Sequence, residues 1–257
     1  MVSLKKSLTL LLSATLLLIM FFSLTLPIPQ SQSYHRFADQ RNWQGMPNAW
    51  NVLSNIAIAL PGIGGLYLLL SSDKVQFNDH RERWLWVGVS IGLIMTAAGS
   101  SYYHLAPDNA RLVWDRLPMT FVFMSLAAAL IGERITIQLG LWLWPVLLCT
   151  GFFSVFLWYL SEMRGNSDLR FYIGIQAFTI LVTMLMLLLP SRYDRKWDLA
   201  LVSTCYGLAL LFDLSDHQIY RITSGLVSGH TLKHLMVGLA GACLVWMIWK
   251  RKKIKSI

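Results

Sequence analysis

Charged side chains are scarce in this sequence. Asp, Glu, Lys and Arg supply 14% of its 257 residues, where a soluble globular chain carries about 25%. Hydrophobic residues make up 55%, and the mean hydropathy is +0.52. A soluble domain is thereby excluded and an integral membrane protein is expected. The apolar runs lack strict apolar–polar alternation, which excludes a β-barrel and leaves membrane-spanning helices. Cysteine is rare too. Cys149, Cys205 and Cys243 each lie inside an apolar run, which excludes a disulfide framework and reads as small packing residues. Polar stretches long enough for a second domain are absent. Acidic residues number 13 against 22 basic ones, a formal charge of +9. In a membrane protein such an excess belongs to cytoplasmic loops, so no nucleic-acid partner is expected.

What the sequence does have is long apolar runs. Lys5 and Lys6 precede an uncharged run from Ser7 to Ile28. A signal peptide is the alternative there. The run exceeds the usual apolar stretch of roughly 7–15 residues and no small-residue cleavage site follows, so a retained helix is favoured. A polar segment follows, and then seven further runs at 49–70, 84–104, 117–132, 138–160, 169–189, 198–214 and 230–249. Each is long enough, or nearly so, for a hydrocarbon core of about 30 Å. The expected fold is all-α: residues 1–28 form an N-terminal hydrophobic helix, 29–48 a polar segment, and 49–257 a seven-helix membrane domain. With the N-terminus placed inside, fourteen Lys and Arg fall in inside segments and seven in outside ones. The positive-inside bias then puts both ends in the cytoplasm.

Polar residues of chemical interest gather at one leaflet under this topology. Ser100 and His104 are four apart, so they share a helix face. Asp115 follows eleven residues after His104, and His230 and His234, again four apart, open the last run. All five fall at the same membrane face. Polar groups at membrane depth are costly to keep without a role. Catalytic zinc takes three protein ligands and leaves a fourth position for water, whose pKa it lowers to about 7. His104, His230 and His234 fit the ligand role. Ser100 fits a hydrogen bond to that water or to an oxyanion, and Asp115 fits a proton carrier. Each has a plainer use. Ser100 can bond back to its own helix, and Asp115 can start the next helix beside Pro118. Tyr102, Tyr103 and Trp114 read as an interfacial aromatic belt. Asp213, Asp216 and His217 close the 198–214 run on the same face, either orienting a ligand imidazole or serving as loop polar groups. Lys233 is expected to point away from the histidines and snorkel to headgroups, and Lys250 to Lys255 to anchor the tail on lipid. His35 and His80 read as loop residues.

Around these residues the chain resembles the alkaline ceramidase family. That family lies within the CREST group of seven-helix membrane hydrolases, which includes the adiponectin receptors. The resemblance rests on Ser100 and His104, on Asp115 with Leu117-Pro118-Met119, on His230 and His234, and on Asn48-Ala49-Trp50-Asn51-Val52-Leu53-Ser54-Asn55. It covers about residues 37–249. It implies zinc held by His104, His230 and His234, catalysis by Ser100 and Asp115, and seven core helices, with residues 7–28 as an addition. It also implies a lipid substrate in the bilayer: the N-acyl amide of ceramide or a related lipid amide, cleaved by zinc-bound water. Animal members carry an acidic calcium site ahead of the first core helix. Here Asn48 stands at the matching glutamate and Asp39 is the only carboxylate in the segment, so calcium is not expected. The compact loops and extra helix look bacterial, which implies an inner-membrane protein with a periplasmic active face. Rival readings are an acyl-lipid esterase, a receptor-like protein holding zinc without turnover, and a proton-relay transporter. Oligomeric state is left open.

Overall fold

The computed structural model describes residues 4–72 and 74–254. Lys255, counted above in the basic tail, and residues 1–3 and 255–257 at the ends of the expected segments lie outside the described residues. Among the described residues the α-helices are α1 Leu4–Leu24, α2 Ala49–Leu53, α3 Ile56–Ser71, α4 Glu82–Leu105, α5 Asn109–Arg134, α6 Ile137–Met163, α7 Arg170–Leu188, α8 Asp198–Leu214, α9 Asp216–Ile222 and α10 Gly229–Lys250, with no strand among them. Among the described residues, seven stretches are long and apolar enough to cross a membrane, and α8 with α9 makes an eighth if that bent pair counts as one span. Leu16, Tyr67, Trp142 and Leu188 face outward and are exposed. A continuous apolar exterior of this kind suits lipid rather than water, as in a multi-pass membrane protein.

The interior is organised on α5, whose side chains from Phe123 to Arg134 are all buried. Its partner α4 comes so close that Gly99 has no room for a side chain: a Cβ there would lie 1.9 Å from the Trp114 carbonyl oxygen. This contact sets Ser100 on α4 beside Asp115 on α5. Helix α1 stands apart and buries only Ser7 and Leu11. Phe22 rests against Gly174 of α7, and Arg170 Nη1 donates to the Thr25 carbonyl at 2.6 Å. Between α1 and the core runs a groove of about 730 Å³, walled in part by Leu18, Phe22, Leu147 and Phe178.

Four boundaries and placements differ from the sequence expectation. The run 49–70 still counts as one span, Ala49–Ser71, but its helix is interrupted at Ser54 and Asn55 between α2 and α3. Helix α5 begins at Asn109, not 117. Asp108 caps it, accepting from the Arg111 amide at 2.7 Å. Polar residues in its first two turns hid that start, and Asp115 is a helix-interior residue and no cap. Past α8 the chain turns by 80° into α9, so Asp216 and His217 belong to a helix. Finally, Arg251 is buried and does not anchor the tail in headgroups. Its Nη1 donates to Glu133 Oε2 at 2.5 Å, beside a Tyr193 hydroxyl that donates to Glu82 Oε2 at 2.6 Å. Of the three free thiols only Cys205 is buried, while Cys149 is exposed and fills no core gap.

Candidate metal centre

Three helix ends converge to build the site. The last two turns of α4 present Ser100 and His104 on one face. The first two turns of α10 present His230 and His234, with Ser228 capping that helix by accepting from the Thr231 amide at 3.0 Å. Gly229 allows α10 to start directly on the end of α8, since a Cβ there would lie 2.1 Å from the Phe212 carbonyl oxygen. This docking brings His230 to Asp213.

All three imidazoles are buried, and one ligating atom from each lies within 4.8 Å of the others. His104 Nε2 and His230 Nε2 are 3.1 Å apart. Two nitrogens on a tetrahedral zinc at 2.0–2.1 Å stand about 3.3 Å apart, so the pair has close to the spacing that a shared ion requires. The far nitrogens of His230 and His234 are tied down, while His104 Nδ1 is buried without a hydrogen-bond partner among the described residues. His230 Nδ1 donates to Asp213 Oδ1 at 2.7 Å. His234 Nδ1 lies 2.7 Å from Ser54 Oγ, whose own hydrogen goes to the Asn51 carbonyl at 3.2 Å, so the ring donates and the hydroxyl accepts. Both rings therefore turn an Nε2 lone pair to the centre, the usual way that an outer partner fixes a ligating tautomer. The His104 turn is held through its backbone, where Asn48 Nδ2 donates to the carbonyl at 2.9 Å. Three neutral imidazoles suit zinc, copper, iron or nickel. The residues fit a transition-metal ion, and the donors alone do not choose among these.

Ser100 and Asp115 are buried in the same wall, and the Ser100 hydroxyl is within hydrogen-bonding reach of the Asp115 carboxylate. The back-bond to the helix is made by Ser101, which donates to the Ala97 carbonyl at 2.8 Å. Asp115 also lies in the electrostatic field of Lys233, His230 and Arg116. So the five predicted site residues are brought to one end of the bundle.

Several neighbours have uses that the sequence reading left open or missed. Asp213 orients His230. Asp216 accepts from the His230 amide and from the Ala38 amide, both at 2.8 Å, and His217 Nε2 meets the Arg36 carbonyl at 3.0 Å. Lys233 does not point away toward headgroups. Its Nζ donates to Asp213 Oδ2 at 3.1 Å, where the second carboxylate oxygen compensates a half-buried cation. His35 is not a bare loop residue, since its ring bridges the Tyr103 hydroxyl at 2.8 Å and Asn109 Oδ1 at 2.9 Å. Tyr103 is accordingly buried and leaves the aromatic belt, whereas Tyr102 and Trp114 stay exposed. His80 lies just before α4, at the other end of that helix from His104. The role of Ser54 at the site went unread, and Phe37 was missed altogether. The one available signal was the polar Ser54-Asn55 pair interrupting an apolar run.

The segment before α2 folds over the three histidines. Phe37 packs its ring at 4.7 Å from His104 and 4.4 Å from His230. Asp39, the lone carboxylate of this segment, is engaged by Arg41 through Nε at 2.9 Å and Nη2 at 2.6 Å. Arg116 Nη2 donates to Gln30 at 2.6 Å while its guanidinium lies over Trp158 at 4.2 Å, which fastens the start of the segment.

Within the bundle lies a cavity of about 200 Å³, lined by Thr96, Met119, Phe123, Tyr206, Val237 and Gly241 among others. Thr96, Met119 and Val237 stand about one turn along their helices from Ser100, Asp115 and His234. The cavity therefore lies about one helical turn from the site, and its walls are almost wholly apolar. In comparisons with known proteins, no family model matches the chain and no curated protein matches it at a significant level.

Proposed function

We propose that this chain is a zinc-dependent hydrolase of membrane lipids, of the alkaline ceramidase kind, cleaving the N-acyl amide bond of ceramide or a related lipid amide. The observation that carries the reading is the convergence of three buried imidazoles, two of them oriented by outer partners, with Ser100 and Asp115 about one helical turn from an apolar cavity. Zinc held by His104, His230 and His234 would supply a Lewis acid and lower the pKa of water in its open position. Asp115 takes a proton from the attacking water as its oxygen bonds to the acyl carbon, then returns it to the nitrogen as the carbon–nitrogen bond breaks. Ser100 Oγ donates a hydrogen bond, to the Asp115 carboxylate at rest and to the developing oxyanion in the reaction. The apolar cavity takes the acyl chain. An ester in place of the amide fits the same residues and is the alternative. By the charge bias the site faces the periplasm of a bacterial inner membrane and the C-terminus is cytoplasmic.

The test is turnover by purified protein on a panel of long-chain lipid amides and esters, after chelation and after zinc is restored. Equal release of fatty acid and amine, lost on chelation and recovered with zinc, is the expected result. No product from any amide or ester in the zinc-loaded protein would overturn the reading.

A further inference from the structure

The segment over the metal centre does more than connect α1 to α2. We propose that Phe37 seals the water side of the site, so that substrates reach it only from the bilayer. The proposal rests on the hydrolase reading for its consequence, but not for its geometry.

Phe37 is 4% exposed and its ring touches two of the three histidines, which are themselves 1–3% exposed. A phenyl ring offers no group to a metal or a reacting atom. What it contributes here is apolar area that keeps water off the imidazoles. The segment that carries it is pinned on both sides of the ring. Before Phe37, His35 bonds to Tyr103 and Asn109, and the Arg36 carbonyl meets His217. After it, the Ala38 amide donates to Asp216, the carboxylate that also holds the His230 amide. The Asp39 carbonyl then accepts from Asn51 Nδ2 at 3.1 Å. The seal is therefore tied to α4, α5, α9 and α2, and through Asp216 to a ligand-bearing turn. None of the residues in these bonds lines the apolar cavity. Phe37 thus acts as a specificity residue: it favours a long acyl chain arriving through the cavity over a soluble amide arriving from water.

The first readout needs neither metal nor turnover. Full-length metal-free protein in lipid vesicles is treated with diethyl pyrocarbonate, and labelling is followed at His230 by mass spectrometry, with exposed His217 as the internal reference. In the wild type, His230 is expected to label at least about tenfold more slowly than His217. Phe37→Ala brings the two rates close together, Phe37→Leu leaves them apart, and Tyr103→Phe, which frees His35, falls between. The second readout is the zinc-loaded protein's preference for a long-chain over a short, water-soluble N-acyl amide, which falls about tenfold in Phe37→Ala. Wild-type His230 labelling as fast as His217, or slow labelling unchanged in both Phe37→Ala and Tyr103→Phe, would overturn the seal. If Phe37→Ala does not fold, Tyr103→Phe decides alone. A labelling pattern as expected in a protein with no turnover would sink the hydrolase reading and leave the seal standing.

Discussion

Asp213 offers the sharpest probe of how the centre is held. Its carboxylate takes His230 Nδ1 on one oxygen at 2.7 Å and Lys233 Nζ on the other at 3.1 Å. Asp213→Asn keeps the shape but removes the charge. The two consequences are separable. Losing the carboxylate behind a ligating imidazole costs about 10–100-fold in metal affinity, which is about 1.4–2.8 kcal/mol at 1.4 kcal/mol per tenfold. Leaving Lys233 without its anion costs folding stability. A fully buried pair broken on one side loses about 3–5 kcal/mol. Here the side chains keep 14% and 22% of their exposure, so the loss belongs at the low end, about 3 kcal/mol or less. The double variant Asp213→Asn with Lys233→Met removes the orphaned cation and is expected to recover stability without recovering affinity. Competition titration against a zinc chelator reads the first effect, and thermal unfolding of the metal-free protein reads the second. Zinc affinity within about twofold of wild type in Asp213→Asn would refute the view that this carboxylate orients a ligand.

Three further expectations follow from the same geometry. Elemental analysis should find about one zinc per chain, lost in His230→Ala and in His234→Ala; full retention in both would remove the centre. Gly99→Ala puts a Cβ against the Trp114 carbonyl oxygen and must push α4 from α5; overpacking of this kind costs about 1–3 kcal/mol, and a lower unfolding temperature together with reduced turnover should be seen. A reporter fused after Ile257 should report from the cytoplasm, and a periplasmic signal would show that the charge bias misleads or that the span count is odd.

The sequence made the ligand set legible because the residues repeat at helical spacing and fall at ends of apolar runs. His230 and His234 share a face by periodicity alone, and so do Ser100 and His104. The membrane helices were legible for the same reason, as length and hydropathy decide them. What surrounds the ligands was not, since it depends on which helix end docks where. Nothing local to Ser54 says that it will meet His234, 180 residues on. Lys233 was misjudged because a half-buried lysine becomes reasonable only once Asp213 is known to face it. The start of α5 was hidden by its own polarity. Its first turns carry Asn109, Arg111, Asp115 and Arg116, which read as loop until Asp108 is seen capping them. That boundary bears on mechanism, because it removes the capping role that Asp115 had as its plain explanation.

Asp115 accordingly gives the most direct test of the central claim. The measurement is kcat for lipid amide hydrolysis by wild type and Asp115→Asn at matched zinc content. Asparagine cannot take the proton from water, and general base catalysis is worth about 10²–10⁴-fold. The three imidazoles and the cavity are untouched by the change. The account predicts a folded, zinc-loaded variant with kcat lower by about 10²-fold or more and KM little altered. A variant within a fewfold of wild type would contradict it and move the search for the base to Asp213 or Asp216.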